Sequence, residues 1–286
     1  MNSIDLIKKD NYLDAFIKKH NLTDEYVNSH INVFMRVYES RNKCINCKGL
    51  YCCSQASVGQ RLDISYEQIL LEEIEYCDYY LAKQKDVSLT NSYVYSDISD
   101  QLIGNDLDNI QLFDDEKGLF IELYDILDGK SNKGIYVCGE MGVGKTYLVS
   151  ALANSLVKKH KKVAFVKVSS FINEMRRLVG NDTIMFDKYM NDLKNVDYLF
   201  LDDIGSESVS TFSRDDILFT ILDYRMENNL TTIFTSNLNK QDLVKHYTFD
   251  KKDNSSILRA KRLVERIDVL SNDYTIIGQN KRRQTC

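Results

Sequence analysis

The chain has 286 residues, 43% hydrophobic and 28% charged, with a net charge of −5. This is room for two domains or one large one, in the composition range of soluble globular proteins. No run of about 18 apolar residues occurs, and "MNSIDLIKKDNYLDAF" lacks the apolar core of a secretory signal, so a cytoplasmic protein with reduced thiols is expected.

In chain order, two amphipathic helices come first, near Ile4–His20 and Asp24–Arg41. In the second, Tyr26, Val27, Ile31, Phe34, Val37 and Tyr38 recur at helical spacing. "KCINCKGLYCCSQ" follows and packs Cys44, Cys47, Cys52 and Cys53 into a short stretch of a chain with 7 cysteines. Disulfide, metal, redox pair and buried free thiols are the readings open to it, with disulfide the poorest in a reducing compartment. "RLDISYEQ" reads as a short strand and "EQILLEEIEYCDYYLAKQK" as mixed. The Ser-, Asp- and Asn-rich stretch that follows lacks periodicity, and a linker is expected over 91–113, between an N-terminal domain at 1–90 and a second domain at 114–286.

From Asp114 strands and helices alternate. "GIYVC" (134–138), "KVAFVKV" (162–168), "VDYLFLDDIG" (196–205) and "LTTIFTSN" (230–237) read as strands. "KTYLVSALANSLVKKH" (145–160), "FINEMRRLV" (171–179) and "RDDILFTILDYRMENN" (214–229) read as helices. Near-continuous apolar strands separated by helices predict an α/β fold with a parallel sheet covered on both faces.

Within that pattern "GEMGVGKT" follows a strand and opens a helix, the context of a Walker A phosphate loop. Gly139, Glu140, Met141, Gly142, Val143, Gly144, Lys145, Thr146 and Tyr147 are the candidate nucleotide-binding segment. Its glycines let main-chain N–H groups turn toward phosphate oxygens, and the helix N-terminus adds a favourable dipole. Lys145 suits the β- and γ-phosphates, and the Thr146 hydroxyl suits Mg²⁺. In "YLFLDDIG" the acids emerge at the strand's C-terminal end, where open α/β sheets bind ligands. Asp202 is a candidate Mg²⁺ ligand, directly or through water, and Asp203 a candidate for polarising an attacking water. Asn237, ending "TIFTSN", can hydrogen-bond a γ-phosphate or that water.

The order of these elements looks like that of AAA+ ATPases, with Asn237 at the sensor 1 position. The stretch "SESVSTFSRDDILFTILDYRMENNLTTIFTSNLNKQDL" resembles the bacterial replicative-helicase loaders of the DnaI and DnaC type. "RAKRLVERIDVL" is similar to that family's box VII, with Arg262 at the arginine-finger position and Arg266 at the second arginine. "IIGQNKRR" is similar to its sensor 2 end, with Arg282 or Arg283 as the candidate. The resemblance implies an AAA+ P-loop NTPase domain that binds ATP and Mg²⁺ and hydrolyses ATP slowly. A finger acting in trans implies a nucleotide-dependent homo-oligomer.

The N-terminal part resembles the same family's small, mostly helical zinc-binding domain. That resemblance implies Cys44, Cys47, Cys53 and Cys77 as Zn²⁺ ligands, with Cys52 as substitute for Cys53; His20 and His30 both precede the cluster. It also implies a hexameric replicative DNA helicase of the DnaB type as partner, and single-stranded DNA. From Lys240 onward 11 Lys or Arg face 6 Asp or Glu, leaving the rest near −10. Lys251, Lys252, Lys261 and Arg262 in that basic segment are candidates for phosphate contacts. Alternatives are a transposition helper ATPase of the IstB type and a nucleotide-binding module without turnover. An initiator of the DnaA type would need a further duplex-DNA-binding domain.

Overall fold

In the computed structural model, which describes residues 3–110, 117–250 and 253–277, the apolar run over 4–20 folds as two helices rather than one. Asp10 divides α1 (Ser3–Lys9) from α2 (Asn11–Lys19) by accepting from the N–H groups of Tyr12 (3.0 Å) and Leu13 (2.9 Å). A short acidic side chain satisfies the unpaired amides of a new helix and so favours a break there. The second run is also divided, at His30, into α3 (Asp24–Ser29) and α4 (Ile31–Asn42). These helices bury Ile7, Leu13, Phe16, Val27, Phe34 and Val37 against Ile64 of an antiparallel hairpin, β1 (Gln60–Tyr66) and β2 (Leu70–Tyr76). Residues 1–85 form one compact unit and 86–286 another, and α5 (Asp78–Asn91) carries the chain from one to the other.

The stretch expected as a linker departs from that expectation. β3 (Tyr95–Ser96) is an edge strand paired with β5 (Val163–Lys167) through Tyr95↔Ala164 and Ser96↔Phe165. The chain on both sides of it is held in part by a buried side chain. Asn154 accepts from the Tyr93 hydroxyl (2.7 Å) and donates to the carbonyls of Leu102 (2.8 Å) and Asn105 (2.7 Å). Leu107 is buried beside it. Anchoring by single polar contacts leaves no period in the sequence, so the stretch reads as unstructured although it is built in.

The sheet has six parallel strands in the order β3–β5–β6–β7–β4–β8. After β3 and a helix α6 (Lys117–Leu127) come β4 (Gly134–Gly139), α7 (Lys145–Lys158), β5, α8 (Val168–Leu178) and α9 (Thr183–Asn195). Then follow β6 (Tyr198–Asp202), α10 (Thr220–Glu227), β7 (Thr231–Ser236), α11 (Lys240–Tyr247), α12 (Asn254–Leu270) and β8 (Ser271–Ile276). Alternate strand residues feed two separate cores. Tyr136, Val166, Leu201 and Phe234 pack toward α8, α9, α10 and α12. Ile135, Val137, Phe165, Phe200 and Ile233 pack toward α6 and α7. The α9 helix and β8 were not expected from sequence. In β8, "SNDYTI", only the end residues are buried, so it lacks the apolar run that marks the inner strands.

α10 is preceded by a wide π-helical segment, Phe212–Phe219, which holds Arg214. That side chain is 1% exposed and donates to both carboxylate oxygens of Asp215 (2.7 and 2.8 Å) and to the carbonyls of Tyr247 (3.0 Å) and Ser256 (3.3 Å). It ties the start of α10 to α11 and α12.

Candidate functional site

Residues 140–144 connect β4 to α7, and Gly142 (φ 85°) and Gly144 (φ 106°) take left-handed backbone there. Glycine adopts that conformation without the Cβ clash other residues meet. Lys145 opens α7 and is 7% exposed. Its Nζ donates to the carbonyls of Gly139 and Glu140, both at 2.9 Å, and to Oδ1 of Asn237 at 2.8 Å. The Thr146 hydroxyl donates to Oδ1 of Asp202 at 2.9 Å.

Asp202 ends β6 at 5% exposed, beside β7. Burial pushes its carboxyl above the usual range, against hydrogen bonds from Thr235 and Thr146 that favour the ionised form. The next residue, Asp203, sits at φ 56° and accepts from Nδ2 of Asn237 at 2.9 Å. The amide of Asn237 therefore joins Lys145 on one side to Asp203 on the other.

Lys145, Thr146, Asp202, Asp203 and Asn237 all line one cavity of about 820 Å³, together with Met141, Gly142, Val143, Gly144 and Tyr147. Two features of this cavity were not found from sequence. Ile98, Leu102 and Ile110, from the stretch read as a linker, form an apolar wall with Ile276 at the end of β8. Their trace in the sequence is a few apolar residues, Ile98, Leu102 with Ile103, and Ile110, spaced without a period in a polar stretch. Asp97, Lys167 and Thr235 also line it. Burial raises the Asp97 carboxyl, although Lys167 N–H donates to it at 2.9 Å. The arrangement offers inward ammonium and hydroxyl donors, two adjacent carboxylates at a sheet edge and an apolar pocket, a set matched to a nucleotide with a hard cation.

The two expected arginines on α12 lie away from this cavity's lining. Arg262 is exposed on α12 and is not among the residues lining the cavity. Arg266, on the same helix, donates through Nε to Asp223 (2.9 Å) and packs its guanidinium over Phe219. Lys261 is exposed. Arg282, Arg283, Lys251 and Lys252 lie outside the described residues.

Cys44, Cys47, Cys53 and Cys77 line a second cavity, of about 180 Å³, in the N-terminal unit. Among the described residues no three His, Cys, Asp or Glu are arranged to hold a metal ion. The structure therefore assembles the expected ligand types around one space but not the closed tetrahedral site that the resemblance implied. The sulfurs are engaged locally instead. Gln55 Nε2 lies 3.2 Å from Cys44 Sγ, and the Cys47 and Cys52 thiols face the Gly49 carbonyl at 3.6 and 3.3 Å. Main-chain N–H groups of Gly59 and Gln55 hold the Cys53 thiol below its ordinary value. Cys138, before the phosphate loop, is within 3.3 Å of the Thr275 hydroxyl.

Residues 118–284 match the family described as IstB-like ATP binding protein. Over 289 aligned residues the chain is 27% identical to the replicative helicase loader DnaI of Bacillus subtilis (strain 168), covering 96% of this chain and 91% of that protein. It is 30% identical to the replicative helicase loader DnaC of Escherichia coli (strain K12) over 107 residues, 37% of this chain and 43% of DnaC. A crystal structure of DnaI superposes with a TM-score of 0.59 at 32% identity, covering 65% of this chain and 98% of that one.

Proposed function

The chain belongs to the IstB-like ATP binding protein family, and from that membership we propose that it is an AAA+ ATPase that loads the replicative DNA helicase, as a primosome component. The observation that carries the loader reading is the extent of the match to DnaI, which runs through both units. A likeness of the ATPase fold alone would have stopped at the second.

In this proposal ATP lies in the larger cavity, its base against Ile98, Leu102, Ile110 and Ile276 and its phosphates on the loop 139–147. Lys145 leaves the Gly139 and Glu140 carbonyls for the β- and γ-phosphates. The hard oxygen donors of Thr146 and Asp202, already 2.9 Å apart, fit Mg²⁺. When bound, that ion neutralises charge on the phosphates. Asp203 orients and polarises the attacking water, and Asn237 holds Asp203 and the γ-phosphate in register. Arg262 reaches the site of a neighbouring subunit in a nucleotide-dependent oligomer, which agrees with its exposed place on α12. Arg282 or Arg283, both outside the described residues, is the arginine that contacts nucleotide in this reading. Single-stranded DNA is bound through sequence-independent phosphate contacts, to which Lys261 and Arg262 contribute.

The N-terminal unit contacts the helicase. Co-purification of the full chain with a DnaB-type helicase, with and without ATP, tests this. A complex that is lost on deleting residues 1–90 supports it, and undiminished binding by the truncated chain contradicts it. A transposition helper ATPase is the second reading, favoured by the family description itself; failure to capture the helicase alongside capture of a transposase supports that instead. Zinc at Cys44, Cys47, Cys53 and Cys77 rests on donor chemistry alone, since thiolates suit Zn²⁺. Elemental analysis that finds about one Zn²⁺ per chain supports it, and a metal-free, folded protein removes it from the account.

A further inference from the structure

The tripeptide Thr235-Ser236-Asn237 at the end of β7 lies beside Asp202-Asp203-Ile204 at the end of β6, and each of its polar side chains bonds to that neighbour. Asn237 Nδ2 donates to Asp203, and Ser236 Oγ donates to the Ile204 carbonyl at 2.6 Å. Thr235 makes the contacts with the greatest consequence. It is 1% exposed, and its Oγ1 lies 2.6 Å from Oδ1 of Asp202 and 2.8 Å from the main-chain N of Asp203. A hydroxyl has one proton, and the amide can only donate. The hydroxyl therefore accepts from Asp203 N–H and donates to the Asp202 carboxylate. In a buried setting each of these bonds polarises the other.

The same residue also holds the turn. Ile204 N–H donates to the Thr235 carbonyl at 2.9 Å, so two successive amides of the acidic turn end on one residue. Between them Asp203 is kept at φ 56°, a left-handed conformation that a non-glycine residue adopts only when its surroundings impose it.

We propose that Thr235 is a positioning residue for ATP hydrolysis, its hydroxyl fixing the Asp202 carboxylate for the cation and the Asp203 main chain for the water. The inference rests on the ATPase reading above. Thr146 is assigned to the cation once nucleotide binds, so its hydrogen bond to Asp202 is given up in the loaded site. Thr235 keeps its bond to Asp202 in that arrangement and is the donor that continues to orient the carboxylate.

The test compares Thr235→Val, which keeps the shape and removes the hydroxyl, with Thr235→Ser, which keeps the hydroxyl. Steady-state ATP hydrolysis is measured at varied ATP and Mg²⁺. Binding of a fluorescent ATP analogue is titrated with and without Mg²⁺. Losing one hydrogen bond to a charged group predicts a drop in kcat of roughly 10- to 100-fold for T235V, with the KM for ATP changed less than about threefold. It also predicts a higher half-saturating Mg²⁺, both for turnover and for the Mg²⁺ enhancement of analogue binding. T235S recovers all of these. Should T235V not fold, Thr235→Cys retains the volume with only a weak S–H donor and carries the same comparison.

A T235V protein with the kcat and Mg²⁺ response of the unaltered chain overturns the inference, and so does T235S behaving as poorly as T235V. If the unaltered chain itself shows no hydrolysis that depends on Lys145, the ATPase reading fails and the role of Thr235 falls with it. That outcome differs from the others because it appears before any change at position 235.

Discussion

The hydroxyl of Thr146 donates to Oδ1 of Asp202 at 2.9 Å, joining the first turn of α7 to the end of β6 across 56 residues of sequence. A hydroxyl and a carboxylate held this close present hard oxygens to one point. Thr146→Val removes one of the two. The expected result is a loss of Mg²⁺-dependent ATP turnover on the order of 100-fold, while nucleotide binding without Mg²⁺ changes little. Parallel turnover and binding titrations check this, and unchanged turnover would show that the pair does not hold the cation.

Asp215 makes one contribution to the acid sensitivity expected of the larger unit. Burial pushes this carboxyl up, but Arg214 and Arg259 together outweigh burial and hold it below its ordinary value. The folded chain therefore takes up this proton less readily than the unfolded chain. The resulting stabilisation is complete above about pH 4 and is lost as the pH falls through the lower, folded-state value. Asp215→Asn leaves the buried Arg214 charge without its carboxylate, at a cost of roughly 3 kcal/mol near neutral pH. Urea unfolding at a series of pH values should show that loss together with a shallower decline in acid. An acid profile identical to that of the parent protein would remove Asp215 from the explanation.

Strand packing gives a prediction with an internal control. A Cβ at Gly134 would lie 1.8 Å from the Thr232 carbonyl oxygen, a rigid main-chain atom of β7. Gly134→Ala must push β4 away from β7 and is expected to destabilise by at least about 3 kcal/mol. Gly118, on α6, has open space around it, so Gly118→Ala is expected to be neutral or slightly stabilising. Denaturation midpoints for the two variants separate these outcomes, and equal effects would refute the strand-contact argument.

The parts legible in the sequence are those with a repeating or local signal. Four apolar strands, the helix after the phosphate loop, and the residues Lys145, Thr146, Asp202, Asp203 and Asn237 each follow from a pattern within one element. What was missed depends on contacts between distant elements. The wall formed by Ile98, Leu102 and Ile110 exists because Asn154, some fifty residues on, captures the carbonyls of Leu102 and Asn105. Nothing in the local pattern announces that. The break at Asp10 rests on a capping side chain, a local signal that a single helix over Ile4–His20 leaves out of account. Thr235 reads as an ordinary strand threonine, and its position between two acids is evident only once β6 and β7 are paired. The cysteine cluster is legible as a cluster, since Cys44, Cys47, Cys53 and Cys77 line one cavity, while among the described residues no three metal-binding side chains are arranged to hold an ion.

The measurement that bears most directly on the whole account is steady-state ATP hydrolysis by the full chain with Mg²⁺, beside its Lys145→Ala variant. The account predicts slow but measurable turnover, reduced by about 100-fold or more when the ammonium is removed. A folded protein that does not bind adenine nucleotides, or one that hydrolyses ATP equally well without Lys145, would contradict it.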